Sequence, residues 1–156
     1  MAKEKITDLP RTKPASITKS LKLSLPVPPS VNAIYYNTRG GGRRLTKKAE
    51  HYIRDSRALT NMGMDNQHWI KQEKGVWLYL DMVFYFPDRR RRDSHNCLKV
   101  LLDALEGLIY TDDMYVMPRI QSVEYDKECP RVEIHVTTQT KNNRDKGLKT
   151  TKCMVQ

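Results

Sequence analysis

The sequence contains few cysteines, and none of them are close together. Cys97, Cys129 and Cys153 are the only three, and their separation excludes the CxxC spacing of a structural zinc ribbon. No apolar run approaches the roughly 18 residues that span a membrane, and the N-terminal residues contain no apolar signal core. These absences predict a protein of the reducing cytoplasm without a membrane partner.

Acidic residues are scarce relative to basic ones. The 156 residues include 28 Lys and Arg but 18 Asp and Glu, which gives a formal net charge of +10. This excess suits a polyanionic partner, because a cation placed near a phosphate releases a condensed counterion. Basic tails, or a basic surface that maintains solubility, explain the same charge, so composition leaves both interpretations open.

The chain divides into a central domain between two polar segments. Residues 1–19 and 141–156 are basic and lack periodicity, which predicts a flexible arm and a flexible tail. The length between them, residues 20–140, fits one domain of ordinary size.

Hydrophobic periodicity predicts the elements of this domain. Alternating apolar residues predict strands at about 21–25, 76–86, 116–125 and 132–137. Helical spacing and caps predict helices at about 46–61 and 96–106, and glycines predict a basic loop at 32–44. This order of elements predicts an α+β fold with a small mixed β-sheet and two main helices.

The segment 86–116 contains the residues best suited to chemistry. Four consecutive arginines precede an acidic and imidazole cluster at the start of the second predicted helix, and an aspartate pair follows that helix. Carboxylates hold the divalent ions that offset phosphoryl charge and supply a hydroxide nucleophile. The pattern therefore predicts a metal-dependent nuclease. Its predicted metal ligands are Asp93, His95, Asp112 and Asp113, which meet if the helix faces the 112–113 turn.

Each of these residues also has a simpler interpretation. Asp93 suits a helix N-cap, and an Asp-Asp pair suits a turn. Lys99 and Asp103 have the spacing of a surface ion pair, and the arginines suit a solvated patch. If only these interpretations hold, the chain is a generic basic protein, whereas the combination within one short segment favours the nuclease.

Two separated motifs resemble those of the RusA-type Holliday junction resolvases. The stretch LPVPPSVN at 25–32, with the tyrosine-containing basic loop after it, is similar to the first family motif. The stretch DSHNCLK at 93–99, with the later Asp-Asp pair, is similar to the second. The resemblance covers about residues 20–138. It implies a homodimeric α+β nuclease of bacteria and phages that uses Mg²⁺ or Mn²⁺ to cut four-way DNA junctions by two symmetric incisions, in recombination and repair.

The resemblance also implies roles for individual residues. By position, the catalytic residues are Asp93, Lys99 and Asp113, with Asp112 as an acidic neighbour. Lys99 can orient the attacking water or offset charge on the phosphate. Asn96 and Asp103 occupy supporting positions of the motif.

His95 departs from the family motif, which has a second aspartate at this position. An imidazole still binds a divalent ion but is a softer, neutral ligand, so we expect His95 to shift the preference from Mg²⁺ toward Mn²⁺. The alternative is a catalytically weak or silent protein that still binds branched DNA.

Basic and aromatic residues outside the acidic cluster are candidates for DNA contacts. Arginines hold flanking phosphates, and exposed tyrosines stack on unpaired bases. The predicted DNA-binding residues are Tyr35, Tyr36, Arg39, Arg43, Arg44, Arg89, Arg90, Arg91 and Arg92. A homodimer is expected because a two-fold protein supplies two equivalent sites for two related cuts.

Overall fold

The computed structural model describes residues 20–139, so the predicted arm at 1–19 and tail at 141–156 lie outside the described residues. Within this range the chain forms six strands and two α-helices, which confirms the α+β class. The elements are β1 (Ser20–Leu25), β2 (Tyr35–Asn37), β3 (Arg43–Leu45), α1 (Lys47–Asn66), β4 (Leu78–Phe86), α2 (Ser94–Leu105), β5 (Val116–Tyr125) and β6 (Arg131–Thr138). No helix within 20–139 has the length and apolar character needed to cross a membrane.

The main sheet is mixed, as predicted, with the strand order β1-β6-β4-β5. Strand β6 pairs antiparallel with both β1 and β4, whereas β4 and β5 are parallel. A parallel pair requires a crossover connection, and α2 lies in that connection. Helix α2 packs on the sheet within this crossover, and its two ends carry the candidate site residues.

One face of the sheet forms the core. Strand β4 alternates strictly between buried and half-buried residues, so Leu80 and Phe84 point to one face while Asp81 and Tyr85 point to the other. Helix α2 packs Leu101 against the buried face. The alternating sequence pattern predicts this buried apolar face, and its burial is the main contribution to the stability of the fold.

The segment predicted as a loop at 32–44 contains a hairpin instead. Strands β2 and β3 pair antiparallel over three residues each, and Thr38 N–H donates to the Gly42 carbonyl at 3.1 Å. Gly41 and Gly42 have φ values of 81° and 102°, a region that glycine enters without strain. The loop prediction was wrong because strands this short and exposed bury no alternating face, so the sequence contains no period-two signal.

Helix α1 extends five residues beyond the predicted end at 61, through Gly63. At Gly63 the helix approaches β1 so closely that an added Cβ would overlap the Leu23 side chain. The same approach lets the Gln67 side chain accept from Lys22 N–H at 2.9 Å and donate to the Lys22 carbonyl at 2.7 Å. Gly63 is therefore a packing residue inside the helix.

We expect Gly63→Ala to destabilise the protein despite the better helix propensity of alanine. The added methyl group meets the tip of the Leu23 side chain, which is buried and has little room to move. Overpacking costs about 1–3 kcal/mol, and we expect this cost to outweigh the roughly 1 kcal/mol that alanine gains in a helix interior. Urea denaturation measures the change. The control Asn61→Ala, at an exposed position of the same helix, should be neutral or stabilising. A stabilised Gly63→Ala protein would contradict the close approach to β1.

Candidate active site

The turn that follows α2 returns the chain toward the helix. Gly107, with φ 79°, ends the helix as predicted, and its N–H donates to the Tyr110 carbonyl at 2.8 Å. The buried Tyr110 hydroxyl donates to the Leu102 carbonyl at 2.8 Å. Burial raises the pKa of Tyr110, so this hydroxyl stays protonated as a donor. Both bonds hold the turn against α2 and fix the path of the residues that follow.

Three carboxylates meet at this turn. Glu106, Asp112 and Asp113 each place one oxygen within 4.8 Å of the others. The Asp112 carboxylate also accepts from Met114 N–H at 3.0 Å, which orients it as the cap of a short 3-10 turn. Three convergent carboxylates provide the hard oxygen ligands that Mg²⁺ or Mn²⁺ takes, so this group fits a divalent ion.

Glu106 is the member of this group that the predicted ligand set omits. The residue lies at the C-cap of α2 and is exposed. Its position immediately before Gly107, at the end of a polar helix face, was the available signal. The tight turn after the C-cap reverses the chain, so the Glu106 side chain lies next to the returning aspartate pair.

Lys99 links helix α2 to the aspartate pair. Its Nζ lies 2.7 Å from an Asp103 carboxylate oxygen and 3.9 Å from one of Asp113. Helix α2 and the 112–113 turn therefore face each other. The hydrogen bond to Asp103 raises the pKa of Lys99, so its ammonium group is a permanent cation beside the carboxylates.

Asp93 and His95 lie at the other end of α2. The Asp93 carboxylate caps the helix, accepting from His95 N–H at 2.9 Å, and His95 Nδ1 lies 3.4 Å from the same oxygen. The His95 side chain is 82% exposed. Asp93 precedes Lys99 by six residues, or about 9 Å along a helix axis. Within residues 20–139, the group of carboxylates within 4.8 Å contains Asp112 and Asp113 but neither Asp93 nor His95.

The supporting residues lie on α2 between these two groups. Asn96 is half-buried in the first turn, and its N–H donates to the Asp93 carbonyl at 3.2 Å. Asp103 holds Lys99. Cys97 is buried in the core, where it packs as a small apolar residue.

The four predicted arginines differ in how firmly they are held. Arg92 donates from Nη2 to an Asp88 carboxylate oxygen at 3.0 Å and lies 5.3 Å from the Phe86 ring centroid. The Arg92 hydrogen bonds lower the pKa of Asp88 to about 2. Arg89 lies 5.1 Å from the Tyr125 ring centroid. All four arginines are exposed, although the Arg92 side chain retains only 28% of its accessible surface.

The β2–β3 hairpin presents the other basic residues. Tyr35 and Tyr36 are 42% and 50% exposed, and the Arg43 guanidinium lies 5.0 Å from the Tyr35 ring centroid. Arg39 and Arg44 are exposed. Exposed aromatic rings beside guanidinium groups form a surface able to stack on bases and to contact phosphates.

Arg57 of α1 ties the end of α2 in place. Its Nη1 donates to the carbonyls of Ala104 and Glu106, both at 3.0 Å. These carbonyls belong to the last turn of α2, which has no intrahelical donors for them. Arg57 therefore stabilises the backbone from which the Glu106 side chain reaches the aspartate pair.

We expect Arg57→Ala to lower the free energy of unfolding by about 1–3 kcal/mol, because it leaves the partly buried Ala104 carbonyl without a donor and removes the exposed hydrogen bond to Glu106. Urea denaturation measures this loss. The matched control is Arg54→Ala, since Arg54 is exposed and pairs with Asp55, and an exposed pair contributes little. Equal, small effects in both variants would contradict an anchoring role for Arg57.

Two comparisons with known proteins find related sequences. The model of the family described as Endodeoxyribonuclease RusA matches residues 26–137. The crossover junction endodeoxyribonuclease rusA of Enterobacteria phage HK97 is 32% identical over 89 residues, which are 57% of this chain and 69% of the phage protein. The family match includes the strand, helix and turn residues of the candidate site. The chain therefore belongs to the RusA endodeoxyribonuclease family.

Proposed function

We propose that the protein is a divalent-metal-dependent endonuclease that resolves four-way DNA junctions by paired incisions. The central observation is the convergence of three carboxylates and one lysine ammonium where α2 meets the 112–113 turn. Family membership and the name of the phage relative support the substrate. The net charge of +10 supports a polyanionic partner.

Asp112 and Asp113 are the common members of the ligand sets that we propose. Glu106 completes one set, which is assembled in the structure. Asp93 with His95 completes the other, which requires the 112–113 turn to move toward the start of α2, because Asp93 lies about 9 Å along the helix axis from Lys99. When bound there, a divalent ion supplies a Lewis acid for the phosphoryl oxygens and a water of lowered pKa. Two substitutions distinguish the sets by Mn²⁺ binding measured without DNA. Glu106→Gln weakens binding if the first set holds the ion, and Asp93→Asn weakens it if the second does.

The chain's own residues contribute charge and position. The Lys99 ammonium lies beside Asp113, so it can neutralise negative charge that develops on a phosphate at this site. The arginines at 89–92 and the β2–β3 hairpin contact flanking phosphates and unpaired bases. Asp93 lies between the arginines at 89–92 and α2, so its carboxylate is next to DNA that is bound by these arginines.

His95 determines the metal preference in this proposal. As a ligand, its imidazole favours Mn²⁺ over Mg²⁺ relative to the aspartate that the family motif has. We expect His95→Asp to lower the Mg²⁺ concentration needed for half-maximal cleavage. Titration of wild-type and variant with both metals measures this. Equal use of low Mg²⁺ and Mn²⁺ by the wild-type protein contradicts a ligand role for His95.

The second candidate function is branched-DNA binding without cleavage. The observation that favours it is the position of His95, which is highly exposed and contacts Asp93 rather than the carboxylates at the 112–113 turn. In this case the basic surface binds a junction, but the site does not assemble a full ligand set.

A homodimer belongs to the first proposal. Resolution needs two cuts at symmetry-related positions, and a two-fold dimer supplies two equivalent sites. One site per chain is consistent with this arrangement, because both proposed ligand sets come from a single chain.

Cleavage of a synthetic four-way junction and of a matched duplex, each with Mg²⁺ or Mn²⁺, tests the proposed function. Metal-dependent cutting of the junction, lost in Asp93→Asn, supports the nuclease. Junction binding without cutting in either metal supports the second candidate. Equal affinity for both DNAs, without cleavage, contradicts both.

A further inference from the structure

A cleft of about 470 Å³ opens beside Asp93. This volume lies within the roughly 300–1,000 Å³ typical of pockets for small organic ligands. Its walls come from the segment after β1, the end of β4 and the residue before β6. The cleft therefore lies at one end of the sheet, next to the start of α2.

The walls of the cleft are apolar and stiff. Four proline rings line it, and the buried Phe86 and Cys97 lie among the lining residues. The prolines are Pro28, Pro29, Pro87 and Pro130. Flat, rigid apolar surfaces of this kind accept the face of a planar ring and lose little side-chain entropy when they do so.

Three of the remaining six lining residues are cationic. Lys48, Arg91 and Arg92 border the apolar walls, together with the Asp93 carboxylate. Asp88 and the Phe86 ring hold the Arg92 guanidinium in place, so its plane is a fixed surface at the cleft. A guanidinium plane of this kind stacks on nucleobases, and the Lys48 and Arg91 cations can bind phosphate.

We propose that this cleft receives one unstacked nucleotide from the branch point of the junction, an inference that rests on the proposed function. The base lies between the proline rings and the Arg92 plane, and its phosphates contact Lys48 and Arg91. Extrusion of a base costs unstacking energy, and this cost is lower at a crossover, where continuous base stacking is interrupted. The captured nucleotide places the adjoining backbone at Asp93. Lys99 and the carboxylate group lie about 9 Å further along α2, so base capture and cleavage involve neighbouring nucleotides of one strand.

Other occupants match the cleft less well. A duplex backbone alone would leave the proline walls without a partner. The residues before β1 contain more basic than acidic side chains, as does the chain as a whole, so the cations of the cleft oppose binding of the protein's own N-terminal segment or of a second copy.

The test uses a four-way junction with 2-aminopurine at the crossover, because this base brightens when it leaves the stack. Fluorescence and anisotropy are read from the same sample, without divalent ions, so that binding occurs without cleavage. Wild-type protein should increase the fluorescence on binding. Val27→Phe extends a ring into the cleft from its lining, and it should abolish the increase and lower junction affinity about tenfold, the loss expected for one stacked base.

The control is Met62→Phe, which adds the same ring at an exposed position of α1, about 21 Å along the helix axis from Lys48. It should leave both signals unchanged. Val27→Leu is the smaller substitution, used if Val27→Phe impairs folding. Junction binding by the wild-type protein without a fluorescence increase overturns the cleft assignment alone. An increase that both Val27 variants retain overturns it as well. Failure to prefer the junction over duplex overturns the proposed function and this inference together.

Discussion

Replacing Asp113 by asparagine should reduce junction cleavage about 1,000-fold or more, because a bound metal contributes several kcal/mol to transition-state stabilisation. Asp113 belongs to both proposed ligand sets, and an asparagine side chain has nearly the same shape as aspartate without the charge. Single-turnover rates on a four-way junction measure the effect. Binding of the junction should be unchanged or tighter, since the substitution removes a negative charge from a site that contacts phosphates.

The matched control for Asp113→Asn is Asp65→Asn. Asp65 is an exposed carboxylate near the end of α1, distant in sequence from both acidic groups. This variant should cleave at the wild-type rate. A variant at Asp113 that retains more than about a tenth of wild-type cleavage, a loss of less than about 1.4 kcal/mol, would show that the metal is held elsewhere.

Replacing Lys99 by methionine should reduce the cleavage rate about 100-fold or more, the usual loss when one group that stabilises transition-state charge is removed. Methionine keeps most of the length and the apolar stem but has no ammonium to offset phosphate charge. Lys99→Arg keeps the charge with a different shape, so it should recover part of the rate. The measurement is the single-turnover rate at saturating protein, which separates chemistry from binding.

Lys71→Met is the control for Lys99→Met, because Lys71 is exposed on the connection between α1 and β4. Loss of this cation should affect the salt dependence of binding at most. If Lys99→Met cleaves normally while its affinity for DNA falls, Lys99 contacts phosphate in the ground state only. That result would contradict a role of Lys99 in stabilising the transition state.

Much of the fold could be predicted from residue periodicity. Strand β4 alternates over nine residues with one face buried, and the crossover through α2 follows from a helix between two strands. Gly107 indicated the end of α2 because a C-cap glycine enters positive φ without strain. Pro118 in β5 agrees with an edge strand, where a missing N–H is tolerated.

Tertiary packing determined the features that sequence patterns did not predict. Helix α1 continues past its predicted end through Gly63, where the missing side chain lets β1 approach the helix. The β2–β3 hairpin buries no alternating face, so no periodic signal marks it. The helix extension depends on packing against Leu23 of β1, and the hairpin depends on backbone pairing between β2 and β3. Local propensity describes neither contact.

The candidate site shows the same division. Motif positions located the residues of the segment 93–113, but they did not indicate which end of α2 lies next to the 112–113 turn. Helix α2 has 12 residues, so its two ends lie about 18 Å apart along the helix axis. The Gly107 turn then brings Asp113 back to Lys99 and makes Glu106 its neighbour. Only the tertiary structure shows this arrangement.

Cleavage of a supercoiled plasmid that extrudes a cruciform shows whether the protein resolves four-way junctions by paired incisions. A resolvase with two equivalent sites makes paired incisions within one complex, so we predict that linear product forms directly in the presence of Mg²⁺ or Mn²⁺, with nicks at symmetric positions across the four-way junction. The Asp113→Asn protein should bind the cruciform and leave it supercoiled. Accumulation of singly nicked circles, or metal-dependent cutting that Asp113→Asn retains, would contradict the account.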